Sequence, residues 1–229
     1  RIYSAELGQA LAREYDRRTA RLFTLAARHS VSDLGANIPA GVDQQKRVGT
    51  RLDLAKATPS SADYIAAVAA AAAVLDDKDV APEGRYLVTT PSIYYTLVQD
   101  ERAVNQDWNQ DGTNGSYAKG RIANLFGFTI LKSNHLSQQG NVTAAAGERG
   151  YTFGGSTTAL SSVDMTRTRM LAFTQNAVGV LKLKDLTMQM TGNDYQTMFL
   201  STLMTARYAY GWGVLRPECA VEIYNSLPV

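Results

Sequence analysis

The sequence predicts an α+β protein: a long helix first, mixed helices and strands in the middle, and an antiparallel sheet at the end. Three observations support this prediction. Apolar residues recur at the helical period across residues 2–28. Strand-like and helix-like runs alternate between residues 47 and 174. After residue 177, two runs rich in apolar and aromatic residues flank a Gly-Asn-Asp turn signal.

Composition narrows the class further. The 229 residues suffice for one large or two modest domains, and 45% hydrophobic with 19% charged residues is typical of a globular chain. A net charge of +2 is too close to neutral for a strongly basic nucleic-acid-binding domain. The single cysteine, Cys219, excludes an intrachain disulfide, and its apolar surroundings predict an inert core thiol. Because Arg1 lies inside an amphipathic pattern, we expect preceding sequence to be missing.

The first helix, residues 2–28, has an apolar side and a basic side. The apolar positions are Leu7, Leu11, Tyr15, Leu22, Leu25 and Ala26. Glu14 precedes Arg18 by four residues, the favoured order for a helical ion pair. The basic stripe consists of Arg13, Arg17, Arg21 and Arg28. It is interpreted either as a solvated face or as a positive surface facing phosphate or an acidic partner.

The middle of the chain alternates between short elements. A short strand is expected within residues 47–54, followed by a helix capped by Ser60 or Ser61. Further predicted elements are strand Arg85–Thr89, a helix from Pro91 capped by Thr90, helix Tyr117–Phe126 capped by Ser116 and closed by Gly127, and strands Phe128–Lys132 and Met170–Thr174. Residues 133–169 are rich in Ser, Thr, Gly and Asn and predict a long exposed loop.

The end of the chain predicts an antiparallel sheet. Its strands are expected within Leu186–Thr191 and Thr197–Val214, joined by a turn at Gly192–Asp194. A third run, Cys219–Tyr224, follows Pro217 and is assigned to the same sheet. The many large apolar residues require one face of this sheet to be covered.

The sequence contains only weak motifs for a metal-binding, phosphate-binding or catalytic site. His29 and His135 lie far apart without metal-ligand spacing, and residues 112–120 (GTNGSYAKG) lack the Gly-Lys-Ser/Thr ending of a phosphate loop. The carboxylates near Asp76 fit a solvated loop better than a cation site. The sequence therefore predicts no catalytic, metal-binding or cofactor-binding residue.

Several segments, taken in order, resemble major capsid proteins of tailed bacteriophages. These are RYLVTTP, SIYYTLV, RIANLFG and FTILKSNHL between residues 85 and 136, and then NAVGVLKLKDL and LRPE between residues 176 and 218. The second group resembles the peripheral-domain sheet of short-tailed podophages. The resemblance is strongest over residues 118–136 and 176–223.

This resemblance implies the Hong Kong 97-type capsid fold. Residues 1–39 would carry the spine helix of the peripheral domain, residues 40–174 the axial domain, and residues 175–229 the closing sheet of the peripheral domain. Such proteins also have an N-terminal arm and an extended loop before the spine helix, and by this resemblance we expect both to be missing from this sequence.

The resemblance also implies a non-enzymatic subunit. It would assemble with itself into hexamers and pentamers of an icosahedral shell that encloses double-stranded DNA, and a T=7 shell would fit the family. Further implied partners are a scaffolding protein, a portal protein and, where one exists, a decoration protein. The implied location is the virion, assembled in the bacterial cytoplasm and without membrane attachment.

Six residues are candidates for contacts in such a shell. Arg13, Arg17 and Arg21 are expected to face the shell interior, its DNA or an adjoining subunit. Arg216, Glu218 and Trp108 are expected at subunit interfaces. For Arg216 and Glu218 an internal surface ion pair worth less than about 1 kcal/mol is the alternative.

Two other functions compete with the capsid hypothesis. An encapsulin would have the same fold but enclose cargo enzymes instead of DNA. A soluble α+β enzyme or binding domain would need a pocket lined by convergent polar groups, for which the sequence offers no candidate.

Overall fold

The computed structural model describes residues 2–31, 43–100, 115–116, 120–122, 124–134, 136, 141–143, 162–164 and 167–227. The helices are α1 (Ile2–Ala27), α2 (Ser61–Asp77), α3 (Pro91–Val98) and α4 (Asn193–Phe199). The strands are β1 (Thr50–Asp53), β2 (Arg85–Thr89), β3 (Gly115–Ser116), β4 (Arg121–Ile122), β5 (Asn124–Leu125), β6 (Phe128–Lys132), β7 (Asn141–Thr143), β8 (Ser162–Asp164), β9 (Thr168–Thr174), β10 (Val178–Met190), β11 (Met204–Val214) and β12 (Ala220–Tyr224). The predicted first helix and the predicted strands β2 and β6 are confirmed.

A six-stranded sheet forms the centre of the fold, with strand order β1-β12-β9-β2-β6-β5. Strand β12 runs parallel to β1 and antiparallel to β9, and β2 runs parallel to β6. The assignment of Cys219–Tyr224 to the closing antiparallel sheet is therefore wrong. Residues Ala220–Ile223 are all buried, as expected of a strand that is covered on both faces.

Strands β10 and β11 form a separate two-stranded antiparallel ribbon. The expected turn at Gly192–Asp194 is not what the structure shows. Gly192 precedes the short helix α4, which begins at Asn193 and caps the ribbon. At the base of this cap, the Thr191 backbone N–H donates a hydrogen bond to the Leu203 carbonyl oxygen, and the Leu203 backbone N–H donates one to the Thr191 hydroxyl. The C-terminal run consequently becomes a strand only at Met204.

The predicted helix Tyr117–Phe126 is wrong. Its described residues form the short strands β4 and β5, and Ser116 lies in β3 rather than at a helix cap. Phe126 and Gly127 have φ of 49° and 79° and join Leu125 to Phe128 in a two-residue hairpin loop. Positive φ at both positions is characteristic of a type I′ turn, so Gly127 serves a hairpin rather than a helix end.

The long loop expected at residues 133–169 is only partly described. Within it, β7 and β8 pair with each other, and β9 begins at Thr168, two residues before the predicted strand. These strands correct the expectation of one continuous loop.

Helix starts follow local hydrogen bonding. The Ser60 hydroxyl accepts from the Asp63 backbone N–H, and the Asp63 carboxylate accepts from the Ser60 backbone N–H at 2.9 Å, completing a capping box. The expected Ser60 cap is confirmed. Thr90 precedes α3 but makes no side-chain cap bond, while Pro91 occupies the first turn as predicted.

The main core lies between the central sheet and helices α2 and α3. Its fully buried side chains include Leu75, Leu87, Leu97 and Phe128. The C-terminal half of α1 packs against the core through Ala26 and Ala27, while its N-terminal half follows the ribbon. Helix α1 thus joins the central sheet to the ribbon.

Candidate assembly surfaces

An aromatic seam joins α1 to β11. The ring of Tyr15 lies 6.3 Å from that of Tyr208, 5.0 Å from Tyr210 and 6.4 Å from Trp212. The Arg18 guanidinium lies 5.6 Å from the centre of the Trp212 ring, and its Nε donates to Glu14 at 2.6 Å. The predicted Glu14–Arg18 pair is confirmed. Tyrosines at alternate positions of β11 face the helix, which gives the ribbon the covered face that its apolar sequence requires.

A groove of about 650 Å³ runs beside this seam. Leu11 and Arg18 of α1 form one wall, and Leu181, Leu183 and Tyr208 of the ribbon line the other. Leu181 and Leu183 are each 82% exposed. The groove lies between two elements and is lined by apolar and aromatic side chains together with Glu14, Arg18 and Lys182. Its exposed leucines give it the character of a contact surface.

A buried charge cluster fixes the C-terminal end of α1. Glu222 on β12 is fully buried and accepts two hydrogen bonds from Arg28, at 2.7 and 2.6 Å. Arg51 of β1 donates to it at 3.0 Å and Thr168 of β9 at 2.6 Å. The guanidinium of Arg51 also stacks over Tyr224 at 4.0 Å. One carboxylate on β12 thereby ties the end of the helix to three adjacent strands, because its donors lie at the end of α1, on β1 and on β9.

Sequence reasoning missed this cluster. The available signal was one acidic residue, Glu222, inside the otherwise apolar strand Ala220–Tyr224. A carboxylate in such a strand needs cationic partners, and Arg28 at the end of the amphipathic helix was the nearest candidate by pattern. The pairing itself depends on contact between residues 194 positions apart.

The arginine stripe on α1 does not have one environment. Arg13 is exposed, and Arg17 lies 3.8 Å from Glu14 with a side chain 36% exposed. Arg21 is only 7% exposed. Arg28 belongs to the Glu222 cluster. The stripe available to a partner is therefore reduced to Arg13 and Arg17, and the inclusion of Arg21 is corrected by its burial against the fold.

The Arg216–Glu218 pair lies beside Pro217 at the end of the ribbon. Arg216 Nε donates to Glu218 Oε1 at 2.8 Å, with the arginine side chain 56% exposed. This bond raises the pKa of Arg216. The internal pair anticipated as the alternative is thus present within the chain, and the exposed guanidinium still faces outward. Trp108, the third interface candidate, lies outside the described residues.

The tip of the ribbon exposes several large apolar side chains. Leu200 is 94% exposed, Met198 78%, Met190 66% and Phe199 61%. Sequence reasoning expected the apolar residues of this sheet to be covered, and at the tip the described residues leave them exposed. A group of large, exposed apolar side chains at one place on a chain is characteristic of an interaction surface.

Two further cations, Arg85 and Lys78, have structural partners. Arg85 is 4% exposed, and its Nη2 donates to Asp76 at 2.7 Å and to the Val80 carbonyl oxygen. Burial lowers the pKa of Lys78, whose ammonium donates to the Val48 carbonyl at 2.6 Å. Among the described residues no group of three or more His, Cys, Asp and Glu could hold a metal ion. No described helix has the length and hydropathy needed to span a membrane.

Solved capsid structures share this architecture. A chain in the capsid structure of cyanophage P-SCSP1u is 30% identical, with a TM-score of 0.75, over 98% of this chain and 65% of that one. A chain in the mature capsid of bacteriophage PhiM1 has a TM-score of 0.68 at 17% identity, covering 98% of this chain and 64% of that one. A chain from Mycobacterium phage Che8 has a TM-score of 0.62 at 19% identity, covering 96% and 61%. The chain thus spans less than two thirds of the length of these relatives and has the Hong Kong 97-type capsid fold that the sequence predicts.

A family model gives the same assignment from sequence. The model described as "Gp10A-like: Major capsid protein" matches residues 1–224. No curated protein sequence matches the chain. The family match covers nearly the whole chain, and the predicted capsid resemblance is confirmed. This chain therefore belongs to the Gp10A-like family of major capsid proteins.

Proposed function

We propose that this chain forms the body of a capsid subunit that assembles with copies of itself into hexamers and pentamers of an icosahedral shell around double-stranded DNA. The observation that carries the proposal is the ribbon of β10 and β11, which leaves large apolar side chains exposed on a chain of a capsid family. Its role is structural and not enzymatic. The subunit acts in the virion, after assembly in the bacterial cytoplasm with a scaffolding protein, a portal protein and, where one exists, a decoration protein.

The energetics of a shell suit these surfaces. Each exposed edge makes a modest contact, but a closed shell repeats it many times, and the summed contacts stabilise the particle. The Glu222 cluster fixes α1 to the central sheet, and the aromatic seam fixes it to the ribbon. Together they supply the stiffness that a subunit of a closed shell needs.

We propose a division into two domains. Helix α1 with the ribbon corresponds to the peripheral domain, assigned to residues 1–39 and 175–229, and residues 40–174 correspond to the axial domain. Strand β12 complicates this division because it pairs with β1 and β9 of the second range. The central sheet is thus completed by a strand from the C-terminal range.

Assembly of the full-length protein tests the proposed function. The protein is expressed with and without its scaffolding protein, and the product is imaged by electron microscopy and sized by sedimentation. We expect closed icosahedral particles. A monomer that never assembles under either condition would contradict the proposal. Particles containing enzyme cargo instead of DNA after infection would support the encapsulin alternative.

Arg13 and Arg17 are proposed to face the packaged DNA. Both lie on α1 outside the buried core, and cations on such a surface neutralise phosphate without sequence preference. A double Arg13→Gln and Arg17→Gln variant is expected to assemble normally but to package less DNA per particle, measured by nucleic-acid content after nuclease treatment.

The matched control for this variant changes the exposed cations Lys46 and Arg47 to Gln. It removes the same charge from a different face. Equal loss of DNA in the two variants would argue against a specific role for α1, and failure of the α1 variant to assemble would identify Arg13 and Arg17 as subunit contacts instead.

Arg216 and Glu218 are proposed as subunit-interface residues. Their internal bond leaves the Arg216 side chain more than half exposed, so it remains accessible to a carboxylate on a neighbouring copy. An Arg216→Gln variant is expected to assemble with a steeper dependence on protein concentration. Unchanged assembly would remove Arg216 from the interface.

A further inference from the structure

The two strands of the ribbon differ in length at its middle. Between the pairs Lys182–Tyr210 and Thr187–Arg207, β10 advances by five residues and β11 by only three. The register shifts on both sides of Lys184, so β10 carries two extra residues there. Extra residues of this kind form β-bulges, which interrupt the hydrogen-bond ladder and bend the strand. The ribbon therefore consists of two paired segments joined through an irregular one.

The irregular segment, residues 183–186 of β10, is named the ribbon joint. The inner part of the ribbon comprises residues 178–182 and 208–214, and the outer part comprises residues 187–190, helix α4 and residues 204–207. The inner part packs on α1 through the aromatic seam and through Val178 and Val214, which pack against Leu22 and Leu25. Among the described residues, no ring contact and no buried apolar cluster joins the outer part to α1. The outer part is therefore less firmly held to the helix than the inner part.

A pocket of about 320 Å³ lies between the ribbon joint and α1. Gly8, Leu11 and Ala12 contribute to its helix wall, and Asp185 and Leu186 of the joint contribute to its ribbon wall. A Cβ on Gly8 would meet nothing within 4 Å, and Leu186 is 45% exposed. Because the helix presents small residues here, the joint has room to move towards α1. Such a movement buries apolar area of Leu186 against the helix, which favours it.

An exposed ion pair spans the ribbon joint. Lys182 Nζ lies 2.8 Å from Asp185 Oδ2, and the backbone N–H of Leu186 donates to the other carboxylate oxygen of Asp185 at 2.9 Å. The side chains of Lys182 and Asp185 are 50% and 73% exposed, so water competes for both charges. The pair consequently braces the present position of the joint only weakly and leaves a second position accessible.

We propose that the outer part of the ribbon turns about the ribbon joint between the open position of this structure and a closed position in which Leu186 fills the pocket beside Gly8. This inference rests on the proposed function, because hexamers and pentamers set the same ribbon at different angles to its neighbours. A joint with two positions lets one sequence fit both arrangements. The extra residues of β10, the small residues of α1 and the exposed Lys182–Asp185 pair each serve this movement.

Distances between two spin labels test the movement directly. The full-length protein carries Gln9→Cys on α1 and Gln189→Cys on the outer part, both exposed, while Cys219 is buried and stays unlabelled. We expect two distances by pulsed electron paramagnetic resonance, in the free subunit and in particles, the shorter one belonging to the closed position. Labels at Gln9 and at Leu181 of the inner part are the control and should give one distance. A single Gln9–Gln189 distance in either sample would overturn the inference, and normal particles in that experiment would leave the proposed function intact.

Filling the pocket tests the closed position. Gly8→Leu places a side chain in the pocket, so only the longer distance is expected. Ala10→Leu is the matched control, because Ala10 is exposed on the same helix and does not line the pocket, and both distances should remain. An unchanged melting temperature of the free subunit excludes misfolding. A shorter distance that persists in Gly8→Leu at its wild-type proportion would overturn the closed position.

Removing the ion pair tests the brace. Asp185→Asn is expected to raise the ratio of the shorter to the longer distance about twofold, as the loss of an exposed pair predicts. The control is Lys184→Gln, which removes an exposed charge from the joint without breaking the Lys182–Asp185 pair. Unchanged proportions in Asp185→Asn, or an equal increase in both variants, would overturn the role of this pair.

Discussion

At the scale of single residues, Glu222 carries the largest expected effect on stability. Its carboxylate is fully buried and bonded to Arg28, Arg51 and Thr168. A Glu222→Gln variant leaves the Arg28 guanidinium, which is only 16% exposed, without its counter-charge. Breaking a buried pair in this way costs about 3–5 kcal/mol of unfolding free energy. Urea unfolding of the free full-length subunit measures the loss.

Glu14→Gln is the matched control for that variant. Glu14 also pairs with two arginines, Arg17 and Arg18, but all three side chains are more than a third exposed. Helical surface pairs of this kind contribute about 0.3–0.5 kcal/mol. Equal losses for the two glutamates would refute the distinction between a buried and a solvated pair.

Asp63 gives a prediction for pH. The hydrogen bond from Lys56, followed by those from Ser60, lowers the pKa of the Asp63 carboxyl from 3.8 to about 2. A folded-state pKa below the unfolded value stabilises the fold above pH 3.8, and this contribution is lost as pH falls towards about 2. The stability difference between the wild-type protein and Asp63→Asn is therefore expected to shrink across this interval. NMR titration of the carboxyl checks the pKa, and a difference independent of pH would contradict the assignment.

At the scale of elements, Gly49 and Gly8 should respond differently to replacement by alanine. Close packing requires glycine at position 49, whereas at position 8 glycine only lowers helix propensity. A Cβ on Gly49 would lie 2.3 Å from the carbonyl oxygens of both Ala26 and Ala27, whereas a Cβ on Gly8 would meet nothing within 4 Å. Gly49→Ala must displace backbone and is expected to cost about 1–3 kcal/mol. Gly8→Ala is expected to stabilise α1 by about 0.5–1 kcal/mol. Thermal unfolding of both variants tests the contrast, which fails if the two changes have the same sign.

The hairpin between β5 and β6 gives a second prediction at this scale. Phe126 occupies positive φ at 51% exposure and precedes Gly127 in the loop. Asparagine adopts this conformation at less cost than phenylalanine, and Asn-Gly is the preferred pair of a type I′ turn. Phe126→Asn is expected to raise the unfolding free energy by a few tenths to about 1 kcal/mol. A loss of stability would mean that the Phe126 ring makes a contact that outweighs the backbone preference.

Local signals predicted some elements and missed others for identifiable reasons. Helix α1 and strands β2 and β6 have clear periodicity, so propensity and packing agree. The segment Leu125–Phe128 predicts a helix end as readily as a hairpin, because Gly127 favours both, and only strand pairing distinguishes the two. The run Ala220–Tyr224 has the composition of any buried strand, and its placement between β1 and β9 depends on contacts remote in sequence.

At the scale of the whole molecule, the capsid fold was predictable but its contact surfaces were only partly so. The exposure of Arg13 and Arg216 agrees with their predicted places on a helix face and at a strand end, and their contacts in a shell stay predictions. The burial of Glu222 and the exposure of apolar side chains at the tip of the ribbon were missed because both depend on how the elements pack against one another. The apolar residues of β10 and β11 predicted a covered sheet, yet among the residues that the structure describes only those of α1 cover a face of it.

This uneven covering predicts an uneven distribution of local stability. The central strands β2, β9 and β12 are hydrogen-bonded to neighbours on both sides and largely buried. The ribbon pairs only β10 with β11 among the described residues, and most of β10 is exposed. Amides in elements with few buried contacts open at lower free energy. Hydrogen exchange in the free full-length subunit should therefore be slow in the central sheet and fast in the ribbon.

Assembly should change only one of these regions. If the ribbon contacts neighbouring copies, its amides gain protection in the particle, whereas those of β2 and β9 stay as slow as before and serve as the internal control. The comparison is made by mass spectrometry on peptides from free and assembled protein. Ribbon amides that exchange equally fast in both states would place the ribbon outside the subunit contacts, and slow exchange in the free subunit would mean that another part of the full-length chain already covers it.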